Sequence, residues 1–278
     1  MPMPVNCVHP DTLILCADLT WRRAADLQVG DEIVSFDQET VRVGNANGGR
    51  RYRRGLVTHN EPGVKDSYRI TTTEGAVTAS ADHPWLVRLP YVTRGSRLAW
   101  VTSKNLDPLR HRNVSLGRPW EPENTRVAGW LAGVLDADGH AFAGGRHGSW
   151  VGFGQVDGAV LDLFLAECDR RGWPTKVIRR DYIKRRAKPL AANPKAFTDV
   201  RVNGGMWASC RLLGTLRPER LLPIAARMWE GSVVGKTTGD TAALHVEHAG
   251  PQPIASLATD THTYIADGLL CHDTHVVP

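Results

Sequence analysis

Apolar positions recur at strand-like spacing near both ends of the chain and at helical spacing in its middle. Residues 7–37 (CVHPDTLILCADLTWRRAADLQVGDEIVSFD) hold an apolar run of strand length from Thr12 to Leu15. A turn follows at Val29-Gly30-Asp31, then an alternating stretch from Glu32 to Phe36. Further strands are predicted at Ser67–Thr72, Ala76–Ala79 and Trp85–Leu89, and 44–55 (GNANGGRRYRRG) reads as a polar loop. The chain to about Leu116 is therefore expected to be mostly β.

The period then changes. Thr125 to Leu135 is apolar at helical spacing and Gly139 closes it. A strand at Ser149–Gln155 precedes an amphipathic helix over Val160–Arg171, whose main apolar residues are Leu161, Leu163, Phe164 and Cys168. Strands at Thr175–Arg179 and Thr198–Val202 and helices at Ala208–Leu213 and Glu219–Met228 follow, with Pro223 marking the true start of the last. From about Ala243 strand patterns return, at Ile254–Thr259 and Thr263–Ile265, the latter leading into an Asp267-Gly268 turn. A β-rich segment, an α+β segment and a second β-rich segment are what an insertion into a loop of a host domain produces.

Composition narrows the class. With 278 residues, 42% hydrophobic and 23% charged, the chain suits one large or two ordinary soluble domains. No apolar run is long enough to span a bilayer, and Met1–Asn6 lacks a secretory pattern, so a cytoplasmic protein without membrane partners is expected. The five cysteines, Cys7, Cys16, Cys168, Cys210 and Cys271, are odd in number and widely spaced, which argues for reduced thiols rather than a disulfide framework. The net charge of +5 is concentrated over 176–195, where Lys176, Arg179, Arg180, Lys184, Arg185, Arg186, Lys188 and Lys195 face only Asp181. Such a cluster is a solvated face or a phosphate-binding one.

Three stretches in the β-rich segments suit acyl transfer. Cys7 precedes a turn and a strand, Ser80-Ala81-Asp82-His83 follows a strand, and Cys271-His272-Asp273-Thr274 follows the last one. A thiol at Cys7 can attack the carbonyl before it, with His83 supplying a proton to the leaving nitrogen. Thr274 can then take the acyl group. The side chain of Asp273 can attack its own main-chain carbonyl, and His272 can assist.

These residues resemble an intein. Cys7-Val8-His9-Pro10-Asp11-Thr12 is similar to the intein start and Leu27-Gln28-Val29-Gly30-Asp31 to the turn after it. Ser80-x-x-His83 is similar to the TxxH motif, and His262-Thr263-Tyr264-Ile265-Ala266-Asp267-Gly268 with His272 to the two C-terminal splicing motifs. The resemblance implies an all-β Hint horseshoe fold, split in sequence between residues 7–118 and 246–273. Residues 1–6 and 274–278 would be remnants of the flanking exteins, the partners in cis. No cofactor is implied for splicing. Three positions depart from the common pattern: Asp273 stands where Asn is usual, Ser256 where many inteins have Asp, and Trp85 two residues after His83. Trp85 resembles inteins that use an internal cysteine, which would fall at Ser256. Cys7 and Cys271 both remain candidates for the first nucleophile.

Leu131-Ala132-Gly133-Val134-Leu135-Asp136-Ala137-Asp138-Gly139 resembles the LAGLIDADG motif, with Val134 and Leu135 as the replacements. The implied insertion, residues 119–245, is an α+β homing-endonuclease domain. Its Asp138 would hold Mg²⁺ at a scissile phosphate, and its basic stretch would contact double-stranded DNA. One motif is present, which implies action as a homodimer through this helix or a degenerate nuclease. Two decoys are set aside. Gly231-Ser232-Val233-Val234-Gly235-Lys236-Thr237 has the wrong spacing for a phosphate loop, and His245-Val246-Glu247-His248 lacks the further ligands of a zinc site. The alternatives to splicing are a Hint scaffold carrying a DNA-binding or nuclease module, and autocleavage at the N-terminal junction only.

Overall fold

The computed structural model describes residues 6–43, 46–89, 98–144, 149–180, 197–234 and 239–273. The chain divides into two compact units, Met1–Trp120 with Glu230–Pro278, and Glu121–Trp229.

Among its described residues the first unit begins with β1 (Leu13–Leu15), β2 (Trp21–Arg23), β3 (Glu32–Phe36), β4 (Val41–Val43), β5 (Ala46–Gly49), β6 (Tyr52–Thr72), β7 (Ala76–Ser80), β8 (Pro84–Arg88), β9 (Leu98–Thr102) and β10 (Arg112–Ser115). The second unit runs α1 (Arg126–Asp138), β11 (Gly139–Phe142), β12 (Trp150–Val156), α2 (Ala159–Arg170), β13 (Thr175–Arg180), β14 (Phe197–Val202), α3 (Gly205–Leu216) and α4 (Ala225–Trp229). The chain then returns to the first unit with β15 (Gly239–Thr259), β16 (Thr263–Ala266) and β17 (Leu269–His272).

Strands of the first unit pair antiparallel in the order β2-β1-β16-β17-β8-β10-β15-β6-β3, with β7 also on β6 and β9 on β8. Ile14, Ile33, Val57, Ile70, Trp85 and Tyr264 belong to its apolar core. Between β16 and β17 the chain turns through Asp267 (φ 47°) and Gly268 (φ 85°), a two-residue loop whose positive φ values match strand twist. A Cβ on Gly268 would stand 2.0 Å from the Gly117 carbonyl oxygen, so only glycine fits. This hairpin carries Tyr264, Cys271 and His272 on adjacent strands, with Tyr264 opposite Cys271 and Cys271 opposite Trp85 of β8.

In the second unit the sheet order is β11-β12-β14-β13. The Thr125 hydroxyl caps α1 by accepting from Ala128 N at 3.1 Å. The helix buries Ala128, Leu131 and Leu135, one stripe at helical spacing. Its last carbonyls are taken by the Arg220 guanidinium, which donates to Leu135 O (2.9 Å), Asp136 O (2.6 Å) and Gly139 O (2.6 Å). The Asp136 carboxylate accepts from the N–H groups of Glu219 and Arg220, each at 2.9 Å. Phe164 of α2 packs on Phe153 of β12 with ring centres 4.7 Å apart.

Several expectations are corrected. Residues 46–49 and 52–55, read as part of a polar loop, are strand, because β4 pairs with the first stretch and β3 with the second. Residues 119–120, 230–234 and 239–245, assigned to the insertion, group with the β unit. Tyr52 N donates to Ser232 O and Gly231 N to Tyr52 O, and β15 already pairs from Gly239 with Ser115. Leu163 is 44% exposed rather than core, since it lies off the stripe that Leu161, Phe164 and Cys168 bury. Gly139 ends α1 without a left-handed residue (φ −74°), leading straight into β11.

Candidate functional site

Cys7, Val8 and His9 form a short run of backbone between β7 and β15. Val8 bridges both Ala79 and Ala255, and Ser80 N donates to Cys7 O at 2.9 Å. Cys7 N in turn donates to the Ser80 hydroxyl at 3.0 Å. Ser80, at the end of β7, thus holds both the N–H and the C=O of Cys7. The turn after it is closed by His83 N donating to Ser80 O at 3.0 Å.

The opposite end of the segment meets the same place. Asn6 Nδ2 donates to the main-chain carbonyl of Asp273 at 2.7 Å, joining residues 267 apart in sequence. His272 Nδ1 lies 2.8 Å from that same carbonyl oxygen. A carbonyl only accepts, so Nδ1 carries the proton there. The Asp273 side chain is fully buried, its Oδ2 accepting from Thr259 N at 2.5 Å and from the Thr259 hydroxyl at 2.8 Å. Its Oδ1 lies 3.4 Å from His262 Nδ1, at a residue with φ 60° whose carbonyl accepts from Asp273 N. The Trp100 ring meets His272 edge-on at 5.3 Å, stacks on Phe36 and carries the Arg50 guanidinium over its face at 5.3 Å.

Burial dominates the electrostatics. It pushes the Cys7 thiol up, against the Lys65 ammonium and the Ser256 hydroxyl beside it. The Cys271 thiol is raised well above its ordinary value by burial and by Asp273. That thiol donates to Tyr264 O (3.4 Å), which suits a packed, unreactive group. Tyr264 is likewise raised by burial and by the nearby Cys271, Asp273 and Cys7. The Asp273 carboxyl is raised by burial, with the Thr259 donors pulling it back. His83 is pushed down to about 3 by burial and by His272. Its ring meets Trp85 edge-on at 4.6 Å, and neither ring nitrogen has a hydrogen-bond partner among the described residues. In this state His83 is a neutral imidazole, so it gives up a proton only from its neutral N–H or after the pocket opens. Trp85 is itself fixed, its indole N–H donating to the Ser103 hydroxyl at 3.0 Å.

Of the residues singled out by pattern, Cys7, Ser80, His83, Ser256, His262, Cys271, His272 and Asp273 all lie in the β unit around this site. Thr274 lies outside the described residues, as do Lys184, Arg185, Arg186 and Lys188. The sequence pattern marks Asn6 only as the residue before the bond to be cut, and gives no role to Thr259, Trp100 or Ser103. Thr259 and Asn6 could be found only from strand pairing, and Tyr264 sits inside the quoted C-terminal motif.

In the second unit, Asp138 is exposed at the end of α1, its Oδ2 accepting from Gln155 Nε2 at 3.2 Å. Arg179 is exposed on β13, and the backbone of Arg180 pairs with Phe197. Nearby, Arg201 covers the Trp150 ring at 3.9 Å, and His140 and Arg201 each lie 3.2 Å from the Asp199 carboxylate. Among the described residues no three histidine, cysteine or acidic side chains converge as a metal cluster. His245 and His248 instead pair with Glu247 and Asp66 on the sheet. No described helix is long and apolar enough to cross a membrane.

No family model and no curated protein matches the chain. Solved structures similar to it include a DnaB intein from Synechocystis sp. PCC 6803, at 10% identity and TM-score 0.42 over 96% of this chain and 98% of that one. A DnaX mini intein from Spirulina platensis is similar at 12% identity and TM-score 0.41, covering 96% of this chain and 99% of that one. A bacterial intein-like domain from Clostridium thermocellum follows at 10% identity and TM-score 0.34, covering 96% and 97%. Likeness of this degree assigns neither fold nor activity.

Proposed function

We propose that the β unit is the Hint splicing domain of an intein and that the α+β unit is an inserted single-motif LAGLIDADG endonuclease. The observation that carries the splicing reading is the meeting of both junctions: the Asn6 side chain donates to the Asp273 carbonyl, while the Ser80 hydroxyl accepts from the N–H of the Asn6–Cys7 amide.

The chemistry follows from the residues. Cys7 Sγ attacks the Asn6 carbonyl carbon, the Asn6–Cys7 C–N bond breaks, and the thiol proton ends on the Cys7 amine, leaving a thioester. Ser80 orients that nitrogen, and His83 follows on the same turn. The Thr274 hydroxyl then takes the acyl group and frees the thiol. The Asp273 carboxylate next attacks its own carbonyl carbon. The 273–274 C–N bond breaks, the Thr274 amine gains a proton, and a cyclic anhydride forms that water opens. An ester-to-amide shift finally joins Asn6 to Thr274. Of the two candidate first nucleophiles, Cys7 is favoured: it adjoins the bond to be cut, whereas the Cys271 thiol is engaged with Tyr264 O.

Thiol trapping tests this reading. Incubating a flanked precursor with an excess of small thiol should release the upstream segment as a thioester ending at Asn6, and Cys7→Ala should abolish that release. Release that persists in Cys7→Ala and disappears in Cys271→Ala overturns the assignment.

Support for the endonuclease reading is the order helix, two strands, helix, two strands, helix, with Asp138 exposed at the end of the first. A lone carboxylate with the Gln155 amide beside it fits Mg²⁺, which keeps waters and takes substrate phosphates as ligands. When bound, the ion would neutralise phosphate charge. One carboxylate per unit calls for a second copy to cut both strands. A Cβ at Gly129 or Gly133 would meet nothing, so that side of α1 is open to a partner helix.

A further inference from the structure

The Asp273 carbonyl oxygen accepts two N–H donors, Asn6 Nδ2 at 2.7 Å and His272 Nδ1 at 2.8 Å. Only His272 belongs to the excised segment on the splicing reading. Asn6 is the last residue of the upstream flank, yet the residue is only 8% exposed and its side-chain amide reaches the downstream junction.

Resting on that reading, we infer that Asn6 is a catalytic residue of the downstream cleavage, completing with His272 a two-donor oxyanion site on the Asp273 carbonyl. When the Asp273 carboxylate attacks its own carbonyl carbon, the electron pair of the C=O bond moves onto the oxygen that both donors already address. Donors set in advance against a developing charge gain strength as it forms. The attacking group is positioned by the same wall. Oδ2 is tied to Thr259 N and Oγ1, while Oδ1 makes no hydrogen bond among the described residues, faces His262 Nδ1 at 3.4 Å, and is the oxygen placed to attack. The Asn6 donor survives the earlier steps, because acyl transfer to Thr274 attaches Asn6 to the residue adjoining Asp273. Splicing would then depend on the identity of the flanking residue: a short side chain with an N–H donor is required at position 6.

The test uses the flanked full chain with Cys7→Ala, which blocks the upstream junction, so that only scission between Asp273 and Thr274 is read. Release of the downstream flank is timed by gel densitometry and mass, in backgrounds with Asp273 and with Asp273→Asn. Asn6→Asp keeps the shape and removes the donor, and Asn6→Leu removes all polarity. Each should slow release by on the order of 10²-fold or more, with melting temperatures near that of the parent; should one fail to fold, the other decides. Parent-like release in a folded Asn6→Asp or Asn6→Leu, alongside slow release in His272→Ala, overturns the role of Asn6 and leaves the splicing reading intact. No release in either background, or release that ignores His272→Ala, overturns the splicing reading and this inference with it.

Discussion

Acid should destabilise the β unit through His83. The ring is fully buried, edge-on to Trp85, with no hydrogen-bond partner among the described residues for either nitrogen. Charging it in place therefore costs its hydration with nothing to replace it. An unfolded imidazole titrates near 6.5 and the folded one at about 3. The folded value is depressed, so the stability it confers is fully present above pH 6.5 and is lost as pH falls toward 3. Each pH unit inside that window costs about 1.4 kcal/mol, giving a loss of roughly 2 kcal/mol at pH 5 and roughly 3 kcal/mol at pH 4. Urea unfolding of the wild type and of His83→Gln at pH 7, 6, 5 and 4, followed by fluorescence, isolates this contribution from the other titrating groups. The wild type should lose stability more steeply, by close to one proton per molecule across the window. Parallel curves, differing by less than about 0.5 kcal/mol in their pH dependence, would refute a buried neutral His83.

Three further outcomes are expected. Asp273→Asn should accelerate release at the downstream junction, because an amide nitrogen closes the ring more readily than a carboxyl oxygen; equal rates by densitometry would contradict this. Gly268→Ala should cost on the order of 1–3 kcal/mol or more in thermal unfolding, since its Cβ would press into the Gly117 carbonyl at a positive φ; an unchanged melting temperature would show that the turn relaxes freely. Asp138→Ala should abolish Mg²⁺-dependent nicking of DNA carrying the uninterrupted host site, while leaving thioester formation at Cys7 unchanged; retained nicking would remove Asp138 from the endonuclease reading.

The elements with a strong local period were legible. The helix ending in Leu131–Asp138 shows the repeat of Ala128, Leu131 and Leu135, and the Asp267-Gly268 turn is written in its own dipeptide. The strands over 46–49 and 52–55 were not legible, because their Gly- and Arg-rich sequence has no alternation and is held extended by pairing with β4 and β3. The site divides in the same way. Cys7, His83 and His272 carry chemistry in their side chains and stand in recognisable runs. Thr259 and Asn6 matter only through what they touch, Asp273 Oδ2 and Asp273 O, and no local pattern encodes a contact across the sheet.

The central claim is that the chain removes itself and joins its flanks, and intact mass tests it most directly. Expressed between two native-length flanking segments, the wild type should yield a species whose mass equals the upstream flank through Asn6 plus the downstream flank from Thr274, together with free Cys7–Asp273. In Cys7→Ala the joined species should vanish. A precursor that persists at full mass, with neither cleaved nor joined products after prolonged incubation, would contradict the account.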